Sequence, residues 1–262
     1  MSNRGSLEFT SVRQSVSDAE WNARVNLAAC FRLADHYGMS DMIYTHISAR
    51  VPDQQTHFLL NPHGLLFNEM TASCFLKVDL DGNIAFKPDL EQGYGLHAAG
   101  FVIHSAIYKA RPDVMAIMHT HTIAGMAVAA QLGGLLPLNQ ISMEFDGRVA
   151  THDYEGVAAD DNMSERERFV ADLGDKPCMV LRHHGLLTVG RTVAEAFYWM
   201  WYLEQSCRIQ LAAQGSGAPL AIPSRGTVER TRAQFGTGPT KGWLPWQALR
   251  RKLDREQPDY RD

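Results

Sequence analysis

The chain has 262 residues, 45% of them hydrophobic and 21% charged, with a formal net charge of −4. That length and apolar share suit one large domain with a real core, and the small negative charge without a dense basic stripe argues against a nucleic-acid partner. No run of about 18 apolar residues occurs and residues 1–17 carry no signal-like apolar stretch; the 4 cysteines are scattered. The expectation is therefore a cytoplasmic chain with reduced thiols and no membrane span.

Residues 1–16 read as a loose N-terminal arm. Ser17-Asp18-Ala19-Glu20 is a capping-box pattern, and 21–37 carries helical apolar spacing that stops at Gly38. Residues 42–51 alternate like a strand, and 58–60 and 74–78 read as further strands. Asp79-Leu80-Asp81-Gly82-Asn83 is a hairpin turn leading into Ile84-Ala85-Phe86. A helix is expected over 96–109, ended by Arg111-Pro112. A strand over 113–118, a helix over 123–131, a Gly-Gly-Leu-Leu-Pro loop, a short strand over 148–152 and a charged helix over 164–173 follow. Two apolar segments, Cys178–Leu181 and 186–189, flank a pair of histidines. Thr192-Val193-Ala194-Glu195 then opens a long aromatic helix that stops at Gly215.

Beyond Gly215 the composition shifts to Gly, Pro, Ser and Arg, so 216–262 is read as a C-terminal extension of a main domain over 17–215. It carries short helices near Arg230 and over 246–253. Strands alternating with helices predict an α/β or α+β domain with a mixed sheet, and short strand-turn-strand links favour a largely antiparallel one. Aromatic residues Phe197, Tyr198, Trp199, Trp201 and Tyr202 cover most of the long helix's circumference, which marks it as buried on most sides.

The chemistry is concentrated in the histidines, of which there are 11. His119 and His121 stand two apart at the end of an apolar strand, so their imidazoles project from the same face. A further imidazole from His183-His184-Gly185 completes a three-nitrogen metal site with an open position. His184 is preferred because Gly185 lets the backbone turn sharply beside the ion. His183 then points to the opposite face.

His-Thr-His, a later His-Gly and a long helix together resemble the class II aldolase and adducin family over about residues 20–215. Tyr44-Thr45-His46-Ile47-Ser48, Asn61-Pro62-His63-Gly64, Val78-Asp79-Leu80-Asp81-Gly82, and His104 followed by Arg111-Pro112-Asp113 support the likeness in order and spacing. The resemblance implies an α/β fold, a three-layer α/β/α sandwich with a central, mainly antiparallel mixed sheet. It implies a divalent metal on His119, His121 and His184, Zn²⁺ first, with Mn²⁺, Co²⁺ or Fe²⁺ as alternatives. It also implies a homo-oligomer, a tetramer above others, acting on a small-molecule substrate at subunit interfaces.

The departures narrow the function. Where the family's sugar-phosphate aldolases carry a phosphate-binding Ser-Ser pair and a catalytic carboxylate, this chain has Ala98-Ala99 and Gly100. Alanine offers a phosphate no hydroxyl, and glycine moves no proton. His46 stands where those aldolases usually have Asn. Gly100 is expected mid-helix, leaving room for a bulkier or planar substrate. His46, Asn61, His63, Gly64 and Gly100 are the expected substrate-binding residues, and His97, Tyr154 and Glu144 the expected proton-moving ones. The implied function is a metal-dependent lyase, an aldehyde-lyase cleaving a carbon–carbon bond by retro-aldol chemistry through an enolate, on a small unphosphorylated hydroxy or oxo compound. A decarboxylase of a hydroxy-aromatic or keto acid shares that intermediate. A non-enzymatic adducin-like interaction module is the third reading; adducin heads lose metal ligands, whereas this chain keeps them.

Overall fold

The computed structural model describes residues 9–89, 94–156, 163–236, 238 and 240–262; of the expected arm, residues 1–8 lie outside this set. The first helix, α1 (Asp18–His36), starts where Ser17 accepts a hydrogen bond from the Glu20 amide at 3.0 Å. Only half of the predicted capping box forms. The Glu20 carboxylate turns inward to Arg24 at 3.0 Å and Lys77 at 2.7 Å, because Glu20 is buried and a buried charge needs a partner. Gly38, at φ +68°, ends the helix as expected.

The expected strand over 42–51 begins late. Met42 and Thr45 adopt positive φ (47° and 67°), so the chain turns before β1 (His46–Val51) starts. β2 (Gln54–Leu60), β3 (Pro62–His63), β4 (Leu76–Asp79) and β5 (Ile84–Phe86) follow. The β4–β5 turn is held by Asp79, whose Oδ1 accepts from the amides of Asp81 and Asn83 at 2.9 Å each. β6 (Gly95–Leu96) pairs with β3 and leads into α2 (Ala98–Ala110). β7 (Ala116–Thr120), α3 (Ile123–Ala129), α4 (Gln140–Met143), β8 (Val149–His152) and α5 (Met163–Leu173) precede the hairpin of β9 (Cys178–Leu181) and β10 (Gly185–Gly190). The long α6 (Val193–Gly215) and the shorter α7 (Arg225–Phe235) and α8 (Trp243–Glu256) complete the chain.

The main sheet has 8 strands in the order β5-β4-β2-β1-β7-β10-β9-β8, all pairs antiparallel except β8 with β9. Helices cover both faces. Leu27 and Phe31 of α1 and Phe197, Trp199 and Leu203 of α6 pack with Ile47, Met118, Val180 and Leu186 on one side. Ile103 and Ile107 of α2 and Phe169 and Leu173 of α5 pack with Phe58, Ile117, Met179 and Leu187 on the other. The strands are therefore apolar on both faces, which is why β1, β7, β9 and β10 are buried along their whole length. The C-terminal extension joins the same core. Trp246, Leu253 and Tyr260 are buried in it, and the Tyr260 and Asp262 carbonyls accept from Ala72 and Ser73 at 3.0 and 2.9 Å.

Candidate metal centre and its surroundings

β7 lies between β1 and β10, so its C-terminal end collects side chains from three directions. His119 pairs directly with His46 on one side and Leu187 on the other. His121 follows the strand end, and His184 sits in the β9–β10 turn. Candidate ligand nitrogens of His119, His121 and His184 lie within 4.8 Å of one another.

The turn works differently from the expectation. The left-handed residue is His183 (φ 55°), which is exposed, while Gly185 has ordinary φ. Glycine is required at 185 by crowding instead: a β-carbon there would lie 2.4 Å from the Thr120 carbonyl oxygen and 3.3 Å from the His121 ring.

Hydrogen bonds fix the tautomers. His119 Nδ1 lies 2.9 Å from the Leu186 carbonyl, and His121 Nδ1 lies 3.0 Å from Asp41 Oδ2. Both partners only accept, so both Nδ1 atoms carry the hydrogen, and in the neutral rings both Nε2 atoms present a lone pair. Those Nε2 atoms are 2.9 Å apart. Two bare lone pairs facing each other at that distance repel, and a cation between them removes the repulsion. Protonation is the other remedy, and burial works against it: it holds His119 well below the usual imidazole range, with His184 and His121 adding to the effect. Burial, then His121 and His152, brings His184 down to about 4. Neutral imidazoles are the form that ligates a metal, so the residues fit a divalent cation.

Around this trio lie most of the other expected residues. His46 is buried, its ring centroid 5.0 Å from that of His119 and 5.2 Å from that of His97. Burial, followed by His104 and His119, keeps it well below its ordinary pKa. His63 stands 4.8 Å from His97, ring to ring. Asn61 is fully buried, and neither its Oδ1 nor its Nδ2 has a partner among the described residues. Tyr154 is 47% exposed with its ring 6.1 Å from His184.

Four expectations change. Helix α2 begins after His97, not before it, and His97 is its N-cap: Nδ1 accepts from the Gly100 amide at 3.1 Å. That leaves the His97 proton on Nε2. Gly100 leaves no vacant room for substrate, because the His46 ring fills the space: a β-carbon on Gly100 would lie 2.7 Å from His46 Cγ. Gly64, at φ +107°, is packed by the Tyr94 ring, 2.7 Å from where a β-carbon would sit, so its role is the turn itself. Glu144 does not join the histidines. It is fully buried against α6, ion-paired with Lys241 and with Arg148 at 3.7 Å, and accepts from the Tyr198 hydroxyl at 3.0 Å.

Asp41 was not anticipated. It reaches His121 across 80 residues from an isolated bridge with Tyr44, and no local motif marks it. Ser48 and Tyr108 were also unmarked. The usable signal was polarity at alternate positions 46, 48 and 50 of a strand otherwise apolar.

Residues 25–211 match the model of the Class II Aldolase and Adducin N-terminal domain. The chain belongs to that family. A crystal structure of an aldolase II superfamily protein from Pseudomonas syringae is 52% identical, covering 97% of this chain and 100% of that one, with a TM-score of 0.89. L-fuculose 1-phosphate aldolase from Glaciozyma antarctica PI12 is 28% identical with a TM-score of 0.82, over 98% of this chain and 97% of that one. Alpha-adducin of Rattus norvegicus is 42% identical over 245 residues, 88% of this chain but 33% of that protein. Family, α/β fold and mixed sheet thus agree with the reading of the residues. The family's members are generally metal-dependent aldol or retro-aldol lyases, and it also holds the adducins.

Proposed function

We propose that this chain is a metal-dependent aldehyde-lyase that cleaves a carbon–carbon bond in a small, unphosphorylated hydroxy or oxo compound. The observation that carries the reading is the pair of bare Nε2 atoms of His119 and His121, 2.9 Å apart, with His184 beside them. Three imidazoles favour Zn²⁺, with Mn²⁺, Co²⁺ and Fe²⁺ as further occupants. A divalent ion held there supplies Lewis acidity, drawing electron density from a substrate oxygen so that the adjacent bond breaks more easily.

The chain's own residues supply orientation. Asp41 and the Leu186 carbonyl aim the two imidazoles. Asn61, His63, His46 and the Nε2 of His97 border the substrate side, with Tyr154 on the His184 flank as the candidate proton carrier. Ala98 and Ala99 offer no hydroxyl where α2 begins, which supports an unphosphorylated substrate. The homo-oligomer, a tetramer first with the site near a subunit interface, follows from the family resemblance; Ile123 (89% exposed) and Leu132 (94%), on and just after the helix that follows His121, are apolar side chains that such a contact would cover. Four buried free cysteines fit a reducing cytoplasmic setting.

The test is metal analysis of the purified protein followed by a substrate panel. One zinc per chain, aldehyde release from unphosphorylated hydroxy-oxo acids, and loss of both in His119→Ala are expected. Release of carbon dioxide without aldehyde would move the assignment to a decarboxylase. A folded protein that binds no metal would support the adducin-like module, and efficient cleavage of fuculose 1-phosphate would overturn the substrate class.

A further inference from the structure

Gly100, His104 and Tyr108 follow one another at single-turn spacing along α2, and His46 and Ser48 alternate along β1, so one helix face and one strand face meet along a line. Their polar atoms form a chain. His46 Nδ1 is 2.9 Å from His104 Nε2, His104 Nδ1 is 2.7 Å from Ser48 Oγ, and Ser48 Oγ is 2.8 Å from the Tyr108 hydroxyl. All of these side chains are buried.

Each link holds one hydrogen, and the Ser48 hydroxyl has one hydrogen and two lone pairs, so the chain has two opposite directions and a third arrangement. In the third, Tyr108 and His104 Nδ1–H both donate to Ser48, and the buried Ser48 hydrogen is left without an acceptor among the described residues. In the first, Tyr108 donates to Ser48, Ser48 to His104 Nδ1, and His104 Nε2–H to His46 Nδ1. The His46 proton then sits on Nε2. In the reverse direction His46 Nδ1–H donates inward and Ser48 donates to the Tyr108 oxygen. The Tyr108 hydrogen is then left without an acceptor, since Ser48 is its hydroxyl's sole partner among the described residues. A buried donor without an acceptor is costly. Burial also raises the Tyr108 pKa, so the hydroxyl keeps its hydrogen. The first direction satisfies every group.

The His46 Nε2 has no partner among the described residues, and the ring lies over Gly100 and beside its cross-strand neighbour His119. The His97 ring, 5.2 Å away centroid to centroid, is also a donor at Nε2, since its Nδ1 is used as a helix cap. Asp41, the carboxylate that reaches the histidine trio, is bonded to His121. A donor-rich space of this kind suits an anionic oxygen supplied by the substrate.

We propose that His46 is a neutral hydrogen-bond donor, held in its Nε2–H form by His104, Ser48 and Tyr108, and that it binds a substrate carboxylate oxygen beside the metal ligands. The substrate class becomes a 2-hydroxy or 2-oxo acid. The carboxylate half rests on the metal-dependent reading above; the tautomer half rests on the hydrogen-bond chain alone.

Two measurements test it. Side-chain nitrogen NMR of ¹⁵N-histidine protein, with His46 identified by its loss in His46→Asn, should show the proton on Nε2 with or without zinc. Tyr108→Phe and Ser48→Ala should convert this to a mixture of tautomers. A wild-type His46 protonated on Nδ1 overturns the proposal. Calorimetry on the zinc-loaded protein then compares glycolate with the uncharged hydroxyacetone. His46→Ala should weaken glycolate by about tenfold or more, leave hydroxyacetone nearly unchanged, and be rescued by His46→Gln, which restores a donor. No loss, or equal loss of both probes with zinc still bound, overturns the carboxylate assignment. A wild type that takes up no zinc overturns the metal reading and the carboxylate half together, and the NMR result still decides the tautomer.

Discussion

Gly100 and His46 occupy one space: a β-carbon on residue 100 would stand 2.7 Å from the Cγ of the His46 ring. Gly100 lies in the first turn of α2 rather than mid-helix as expected, because the helix starts at Ala98, and there helix propensity alone predicts that Gly100→Ala stabilises the protein by at most about 1 kcal/mol. Steric overlap predicts the opposite, by about 1–3 kcal/mol, because the ring is buried and tied to His104 and cannot swing away freely. Overlap should win. Urea unfolding should show Gly100→Ala less stable than wild type, and a smaller penalty when it is combined with His46→Ala, since the two residues compete for the same volume. A more stable Gly100→Ala would mean that His46 has somewhere else to go.

The aim of His121 depends on Asp41. Removing a carboxylate that orients a ligating imidazole typically weakens metal affinity about 10- to 100-fold. Asp41→Asn should therefore lower zinc affinity within that range while leaving the fold intact, because Asp41 is only partly buried. Competition with a chromophoric chelator measures it. An affinity equal to that of wild type would show that the 3.0 Å contact does not set the ligand's orientation.

How much of this was legible in the sequence follows from which forces are local. The spacing of His119 and His121 at the end of an apolar strand places two nitrogens on one face as long as the backbone stays extended one residue past the strand, as it does here, so that pair could be read directly. The choice of His184 over His183 was also readable, though the reason differed: His183 takes the left-handed position and Gly185 is small because Thr120 crowds it. The position of His46 was not readable in the same way. It depends on β1 lying beside β7, and strand order is decided by packing of segments far apart in sequence. The same holds for Gly100, where the missing side chain suggested space for a ligand and the space is filled from another strand. Glu144 misled for a related reason. A carboxylate in a loop reads as available, whereas here Lys241 from the C-terminal extension neutralises it inside the core.

Acid should destabilise the protein well above the carboxylate range. His104 is held down to about 3 by burial, with His97 adding to the effect, whereas an unfolded histidine titrates near 6.5. Between those values the unfolded chain binds a proton that the native chain refuses, so stability falls as pH drops from about 6.5 toward 3. His46 and His119 are depressed in the same direction and steepen the loss. Denaturation midpoints of the metal-free protein should change little from pH 7.5 to about 6.5 and then decrease down to pH 5, and less so in His104→Gln. A flat midpoint over that interval would contradict the neutral, buried state of these rings.

Lys241 tests whether the C-terminal extension is part of the domain's structure. Its ammonium reaches the fully buried Glu144 and also lies 4.7 Å from the Tyr198 ring and 5.1 Å from that of Trp199. Lys241→Met keeps the length of the side chain but removes the charge. Glu144 then retains Arg148, at 3.7 Å, and the Tyr198 hydroxyl, which is incomplete compensation for a carboxylate in the core. Breaking a buried pair from one side typically costs about 3–5 kcal/mol, while removing both charges costs much less. Lys241→Met should therefore lose several kcal/mol in chemical denaturation, and Glu144→Gln combined with Lys241→Met should recover most of it. Zinc content should stay at the wild-type level in both variants, because neither residue touches the histidine trio. Loss of zinc in the recovered double variant would show that Glu144 acts on the metal site after all.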